Sequence, residues 1–297
     1  MLRTPSTLPL LASLALACAC SAPPTGSDAP DRTEPAAVEP AHPMLGGVDE
    51  ATFKALHQLE LREGPELRGE EVAIEVAELG PMGCYLALPP GHDGGSLPSV
   101  VVIHEWWGLN DNVRLWTDRI AAEGYAALAV DLYEGVVATD SDTAYATMVA
   151  VDENEAKARL AAAHAWLGAQ HGDGGQEPSA CIGWCFGGGW SLTMGLEQDG
   201  LDGAVIYYGR REVDEQAAAA TEARLLGIYG ERDRSIGPDY VAALSEQLEG
   251  VGVDFTHHIY PANHAFANPS NSRYDEVHAA EAWERTRTFL AEVLGAE

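Results

Sequence analysis

The sequence predicts an α/β fold with a mostly parallel central sheet and helices on both faces. Three observations predict it. From residue 71 onward, short apolar runs alternate with stretches of helical length. Several runs, such as 100–104 and 125–131, are apolar up to a polar last residue, as expected of strands buried on both faces. The segments between them are long enough to be crossover connections.

The elements follow in order. Residues 1–20 read as a secretory signal: Arg3 supplies the positive end, and residues 8–17 form an apolar core broken only by Pro9 and Ser13. That core is too short to cross a bilayer. It ends in small residues with Cys18 and Cys20, which resembles a bacterial lipoprotein signal. Ala15 and Ala17 stand where such a signal carries Leu, and an ordinary signal peptide is the alternative. Residues 21–47, rich in Pro, Ala and acidic side chains, cannot bury a core and read as a disordered linker. An exported chain is expected, periplasmic or membrane-anchored through lipid on Cys18 or Cys20.

The folded domain is expected over 48–297, beginning with a short helix over 51–62. Residues 71–78 alternate apolar and polar, as an exposed antiparallel edge strand does. A second strand over 82–88 ends at Pro89-Pro90-Gly91. Buried strands are expected at 100–104, 125–131, 180–184, 203–208 and 225–229, with a further strand at 254–260. Helices are expected at 113–123, 152–170, 186–196, 238–249 and 274–294. Active sites of such sheets lie beyond the carboxyl ends of the strands.

Composition narrows the function. The chain has 297 residues, 46% hydrophobic, enough for a sizeable core. Its 17 basic and 46 acidic side chains give a formal net charge of −29. Such a surface repels phosphate backbones, so nucleic acid is not an expected partner. A small-molecule substrate and a monomer are expected. Beyond the leader, Cys84, Cys181 and Cys185 are an odd set, so at least one thiol stays unpaired within a monomer. Cys84 and Cys181 read as small buried hydrophobes.

The chemistry follows the strands. Gly183-Trp184-Cys185-Phe186-Gly187-Gly188 is a nucleophile elbow with Cys in place of Ser. Glycines two before and two after Cys185 remove clashing Cβ atoms. The thiol then sits at a helix N-terminus, where the dipole favours thiolate, and the Phe186 amide faces an oxyanion. The plainer reading is a glycine-rich turn with an inert cysteine. Asp233 follows the strand at 225–229, and His264 follows the strand at 254–260. Nucleophile, acid, then histidine is the α/β-hydrolase order. Asp233 is expected to orient His264, which exchanges a proton with Cys185. After the strand at 100–104 come Glu105, Trp106 and Trp107. Trp106 is the candidate for the second oxyanion amide, and Glu105 for a carboxylate beside the thiol.

These pieces together resemble the dienelactone hydrolase family: His104-Glu105-Trp106-Trp107-Gly108-Leu109-Asn110, Asp131-Leu132-Tyr133, the Cys185 elbow, Gly230-Glu231-Arg232-Asp233, His264-Ala265-Phe266, Arg273-Tyr274-Asp275 and Trp283. The resemblance covers roughly residues 71 to 295. It implies an α/β-hydrolase fold, a Cys185–His264–Asp233 triad with Glu105 beside it, ester or enol-lactone hydrolysis, and no metal or organic cofactor. Two arginines that hold the substrate carboxylate in the family are replaced here, one by Glu134-Gly135 and the other by Asn268. Arg210, Arg211 and Arg273 are candidates to take their place, with Trp107 and Tyr133 as further substrate contacts. Two alternatives stay open: a non-catalytic binding lipoprotein with this fold, and a thiol redox module using Cys181 and Cys185.

Overall fold

The computed structural model describes residues 50–57, 67–172 and 177–295. The expected signal, the linker, Cys18 and Cys20 lie outside the described residues.

Among these residues one sheet carries eight strands: β1 (Glu70–Val76), β2 (Gly80–Ala87), β3 (Ser99–Ile103), β4 (Ala126–Val130), β5 (Ser179–Trp184), β6 (Gly203–Tyr207), β7 (Arg224–Gly230) and β8 (Phe255–Tyr260). Their order across the sheet is β1-β2-β4-β3-β5-β6-β7-β8. β1 and β2 pair antiparallel at one edge, and β2 pairs antiparallel with β4. From β4 through β3 to β8 every pairing is parallel. The four strands β3 to β6 are buried at every residue, which explains their unbroken apolar runs.

The helices are α1 (Glu50–Leu56), α2 (Asp111–Ala122), α3 (Ser141–Ala150), α4 (Glu153–His171), α5 (Phe186–Glu197), α6 (Glu215–Ala218), α7 (Pro238–Val251) and α8 (Glu276–Leu294). Side-chain caps start five of them: Asn110, Asp140, Asp152, Asp214 and Asp275 each accept an amide of the first turn. No described helix is long and apolar enough to cross a membrane.

The expected strands and long helices are present, with ends displaced by a residue or two. The first helix stops at Leu56, short of residue 62; residues 58–66 lie outside the described residues. α3 and α6 fall in stretches where no element is expected. In α3 only Ala144 and Met148 are buried, one turn apart, so it lacks the continuous apolar stripe that marks a helix in sequence.

Strand alternation sorts the two faces. On β5, Cys181 faces α5, its Sγ 3.2 Å from Ser191 Oγ. Trp184 faces the other side and meets Trp116 of α2 at 5.2 Å between ring centroids. Trp116 in turn meets Trp283 of α8, and the Arg119 guanidinium lies over both indoles. Register then aligns the strand ends. Ile103 pairs with Gly183, Trp184 with Tyr207, Tyr207 with Ile228, and Gly230 with Tyr260. The segments leaving β3, β5, β7 and β8 therefore emerge at one rim.

Candidate active site

Cys185 leaves β5 with φ 55° and ψ −114°, a backbone that side chains rarely adopt, and caps α5. The glycines make that turn possible. A Cβ on Gly183 would lie 2.1 Å from the Gly187 carbonyl oxygen, and one on Gly187 would lie 2.2 Å from that of Ile103. The elbow thus rests on its own backbone and on the end of β3. The Cys185 amide donates to the Tyr207 carbonyl at 2.9 Å.

Asp233 and His264 converge on this turn from β7 and β8. His264 Nδ1 lies 2.5 Å from Asp233 Oδ2. Asp233 Oδ1 accepts from the amides of Ser235 and Ile236 and from the Ser235 hydroxyl at 2.8–3.0 Å. Burial pushes the Asp233 carboxyl up, but the His264 charge and these hydrogen bonds outweigh it and hold the group well below the usual range. Burial likewise pushes His264 down, and the Asp233 carboxylate and the Cys185 thiolate reverse this, raising it to about 10. The Cys185 thiol is pushed up by burial; His264 and the Phe186 amide act in the opposite direction.

Glu105 is buried beside them. Asn268 Nδ2 donates to its carboxylate. Burial raises Glu105 to about 7, against the opposing pull of the His264 charge and the Asn268 hydrogen bond. His104, its neighbour, is committed to the scaffold: its Nδ1 donates to the Glu105 carbonyl and its Nε2 accepts the Leu132 amide.

One side chain here was not foreseen. His57, on the residue after α1, has its Nε2 2.8 Å from His264 Nε2 and 3.1 Å from Cys185 Sγ. Its Nδ1 donates to the Phe53 carbonyl at 2.7 Å. The His57 ring packs on Phe53 at 4.1 Å and on Trp106 at 4.7 Å. No motif surrounds His57 in the sequence; the only signal is a histidine within the short helix expected at the start of the domain.

The remaining candidates are distributed as follows. The Trp106 ring is fully buried under Phe53 and His57, and Trp107 is buried behind it. The Tyr133 ring lies against Phe186, and its hydroxyl has no hydrogen-bond partner among the described residues. The Tyr208 hydroxyl shares that condition, and its ring lies 5.0 Å from His264. Arg210 donates to the Ser235 carbonyl, and Arg211 lies over Trp190 at 4.1 Å while pairing with Glu153 at 3.3 Å. Both line a cavity of about 30 Å³ with Cys185, His264 and Phe53. The Arg273 charge reaches Asp233 and Cys185. A far larger cavity, about 760 Å³, is lined by Asp202 and Arg224, which border the amino-terminal starts of β6 and β7, so it lies at the opposite rim from the thiol.

Cys84, Cys181 and Cys185 are all free thiols. Burial raises Cys84 and Cys181 to about 12, as expected of inert core residues.

The chain is similar to several known proteins. A provisionally named carboxymethylenebutenolidase of Saccharolobus solfataricus is 31% identical over 238 residues, covering 66% of this chain and 89% of that protein. Protein usf of Aquifex pyrophilus is 32% identical, covering 71% and 93%. A provisional dienelactone hydrolase structure from Klebsiella pneumoniae matches with a TM-score of 0.68 at 26% identity, covering 77% of this chain and all of that one. The family model described as the dienelactone hydrolase family matches residues 82–294, from β2 to the end of α8, and leaves α1 and His57 outside. By this match and this fold, the chain belongs to the dienelactone hydrolase family.

Proposed function

We propose that the protein hydrolyses ester or lactone bonds through a Cys185 thioester. The observation that carries this reading is the strained Cys185 elbow facing a buried His264–Asp233 pair.

The chemistry runs in two steps. Cys185 Sγ attacks the carbonyl carbon as its proton passes to His264, whose imidazolium Asp233 holds. The amides of Phe186 and Trp106 receive the oxyanion. His264 returns the proton to the leaving oxygen, and the acyl group stays on sulfur. Water then attacks the thioester, His264 takes its proton, and the thiolate departs. Glu105, neutral or charged near pH 7, is a second acceptor for the thiol proton when substrate displaces the resting contacts.

Arg210 and Arg211, at the same cavity, suit a substrate bearing a carboxylate. The composition of the leader supports an exported protein, tethered through Cys18 or Cys20.

The test is hydrolysis of p-nitrophenyl acetate, a neutral lactone and an anionic dienelactone by the purified protein and by Cys185→Ala. Turnover lost in the variant is expected. Equal turnover in both overturns the reading, and absence of turnover with retained ligand binding favours a binding protein of this fold. A carboxylate subsite is expected to raise KM for the anionic substrate alone in Arg210→Gln.

A further inference from the structure

We propose that His57, Cys185 and His264 form a binding site for a soft d10 metal cation, zinc or copper(I), that closes the active site reversibly.

Hydrogen positions lead there. The acceptors on the two Nδ1 atoms, the Phe53 carbonyl and the Asp233 carboxylate, can only accept. Both Nδ1 atoms therefore carry hydrogen, and both Nε2 atoms turn their remaining valence toward Cys185. The two Nε2 atoms are 2.8 Å apart, His57 Nε2 is 3.1 Å from Sγ, and all three atoms lie within 4.8 Å of one another. The single in-plane lone pair of His57 Nε2 accepts one hydrogen well. A proton thus bridges one of its two contacts at a time. A cation at the centre of the triangle draws on all three donors together.

The donor set selects the cation. Two imidazoles and a thiolate suit zinc or copper(I), and disfavour magnesium and calcium, which take oxygen ligands. The surroundings match those of bound metals. Ligating histidines commonly donate their other ring N–H to a carboxylate or backbone carbonyl, as His264 and His57 do here. Zn–N bonds of about 2.0–2.1 Å in a tetrahedron separate two nitrogens by roughly 3.3 Å, so the imidazoles must part by about half an ångström. His57 follows a seven-residue helix, the natural place for that adjustment. The adjoining cavity, about 30 Å³, accommodates a water as fourth ligand.

Binding forms a metal–sulfur bond and metal–nitrogen bonds and releases to solvent the proton held between Cys185 Sγ and His264 Nε2, with no change of oxidation state. It occupies the nucleophile and the base together and pins α1 over them. Metal binding stands by itself; the loss of hydrolysis that it brings rests on the proposed function.

The experiment is calorimetric titration of the chelator-treated full chain with zinc chloride, and with cobalt(II) for its thiolate charge-transfer absorption. One equivalent per chain is expected, with that absorption present. His57→Ala is expected to weaken zinc binding at least tenfold. Cys185→Ser removes the absorption. His57→Gln provides a second variant, and circular dichroism checks the fold of each. In the wild-type protein, p-nitrophenyl acetate hydrolysis should fall along the same zinc isotherm. No stoichiometric binding, or wild-type affinity in both His57 variants, overturns the site. Stoichiometric, His57-dependent binding by a protein that hydrolyses nothing supports the site and overturns only the hydrolase reading.

Discussion

Asn268 donates to the buried Glu105 carboxylate, and Ser270 fixes the amide by donating its own amide and hydroxyl to Asn268 Oδ1 at 2.8 and 2.6 Å. A neutral donor thus stands where the family resemblance implies an arginine. It leaves Glu105 dominated by burial and raised from 4.5 to about 7. A carboxyl whose folded value is raised stabilises the fold fully below its unfolded value and loses that contribution as pH rises. Glu105 should therefore cost the fold roughly 3 kcal/mol between pH 4.5 and pH 8. Urea unfolding of wild type and Glu105→Gln at both pH values checks it. The difference between the two proteins should shift by that amount, and a constant difference contradicts it.

The backbone of Cys185 carries a second prediction. Its φ of 55° with ψ of −114° suits glycine and strains any side chain. Cys185→Gly and Cys185→Ala both remove the thiol, so their difference sets the strain on a Cβ against the unfolded-chain entropy that glycine adds. The glycine variant should be more stable by about 1 kcal/mol. Thermal unfolding of the pair measures this, and an alanine variant that is the more stable rules it out.

Asp233 holds the His264 Nδ1 hydrogen and thereby keeps Nε2 facing Cys185. Asp233→Asn offers the wrong donor pattern to the imidazole. Hydrolysis of p-nitrophenyl acetate should fall by about 10³- to 10⁴-fold. A loss under tenfold would show that Asp233 does not set the tautomer.

The cavity beside Cys185, about 30 Å³, has the volume of roughly one water and admits no ester. Phe53 of α1 and Met148 of α3 line it, Phe53 stacks on His57, and α1 is tied to α3 by the Lys54–Asp142 ion pair at 2.7 Å. Substrate entry therefore requires α1 to swing away. Phe53→Ala removes the buried ring contacts of α1 with Trp106 and Tyr145. Iodoacetamide should alkylate Cys185 about tenfold faster in this variant, in line with opening of a few-contact segment. Unchanged alkylation would mean that the thiol is reached by another route.

The sheet, its buried strands and the order of Cys185, Asp233 and His264 were legible in the sequence because each rests on a local pattern. An apolar run, a glycine-flanked nucleophile and a residue just past a strand end are all readable within ten residues, and the parallel sheet carries them to one rim. Three features were decided only by the tertiary structure. His57 reaches a partner 207 residues away, through the docking of one short helix, and no periodicity encodes such a contact. The role of Asn268 depends on its amide facing Glu105 across 163 residues. The closure of the site depends on Phe53 packing on Trp106, 53 residues further along the chain. Local sequence sets local geometry, whereas the protonation and access of this thiol depend on burial among side chains that meet only when the chain is folded.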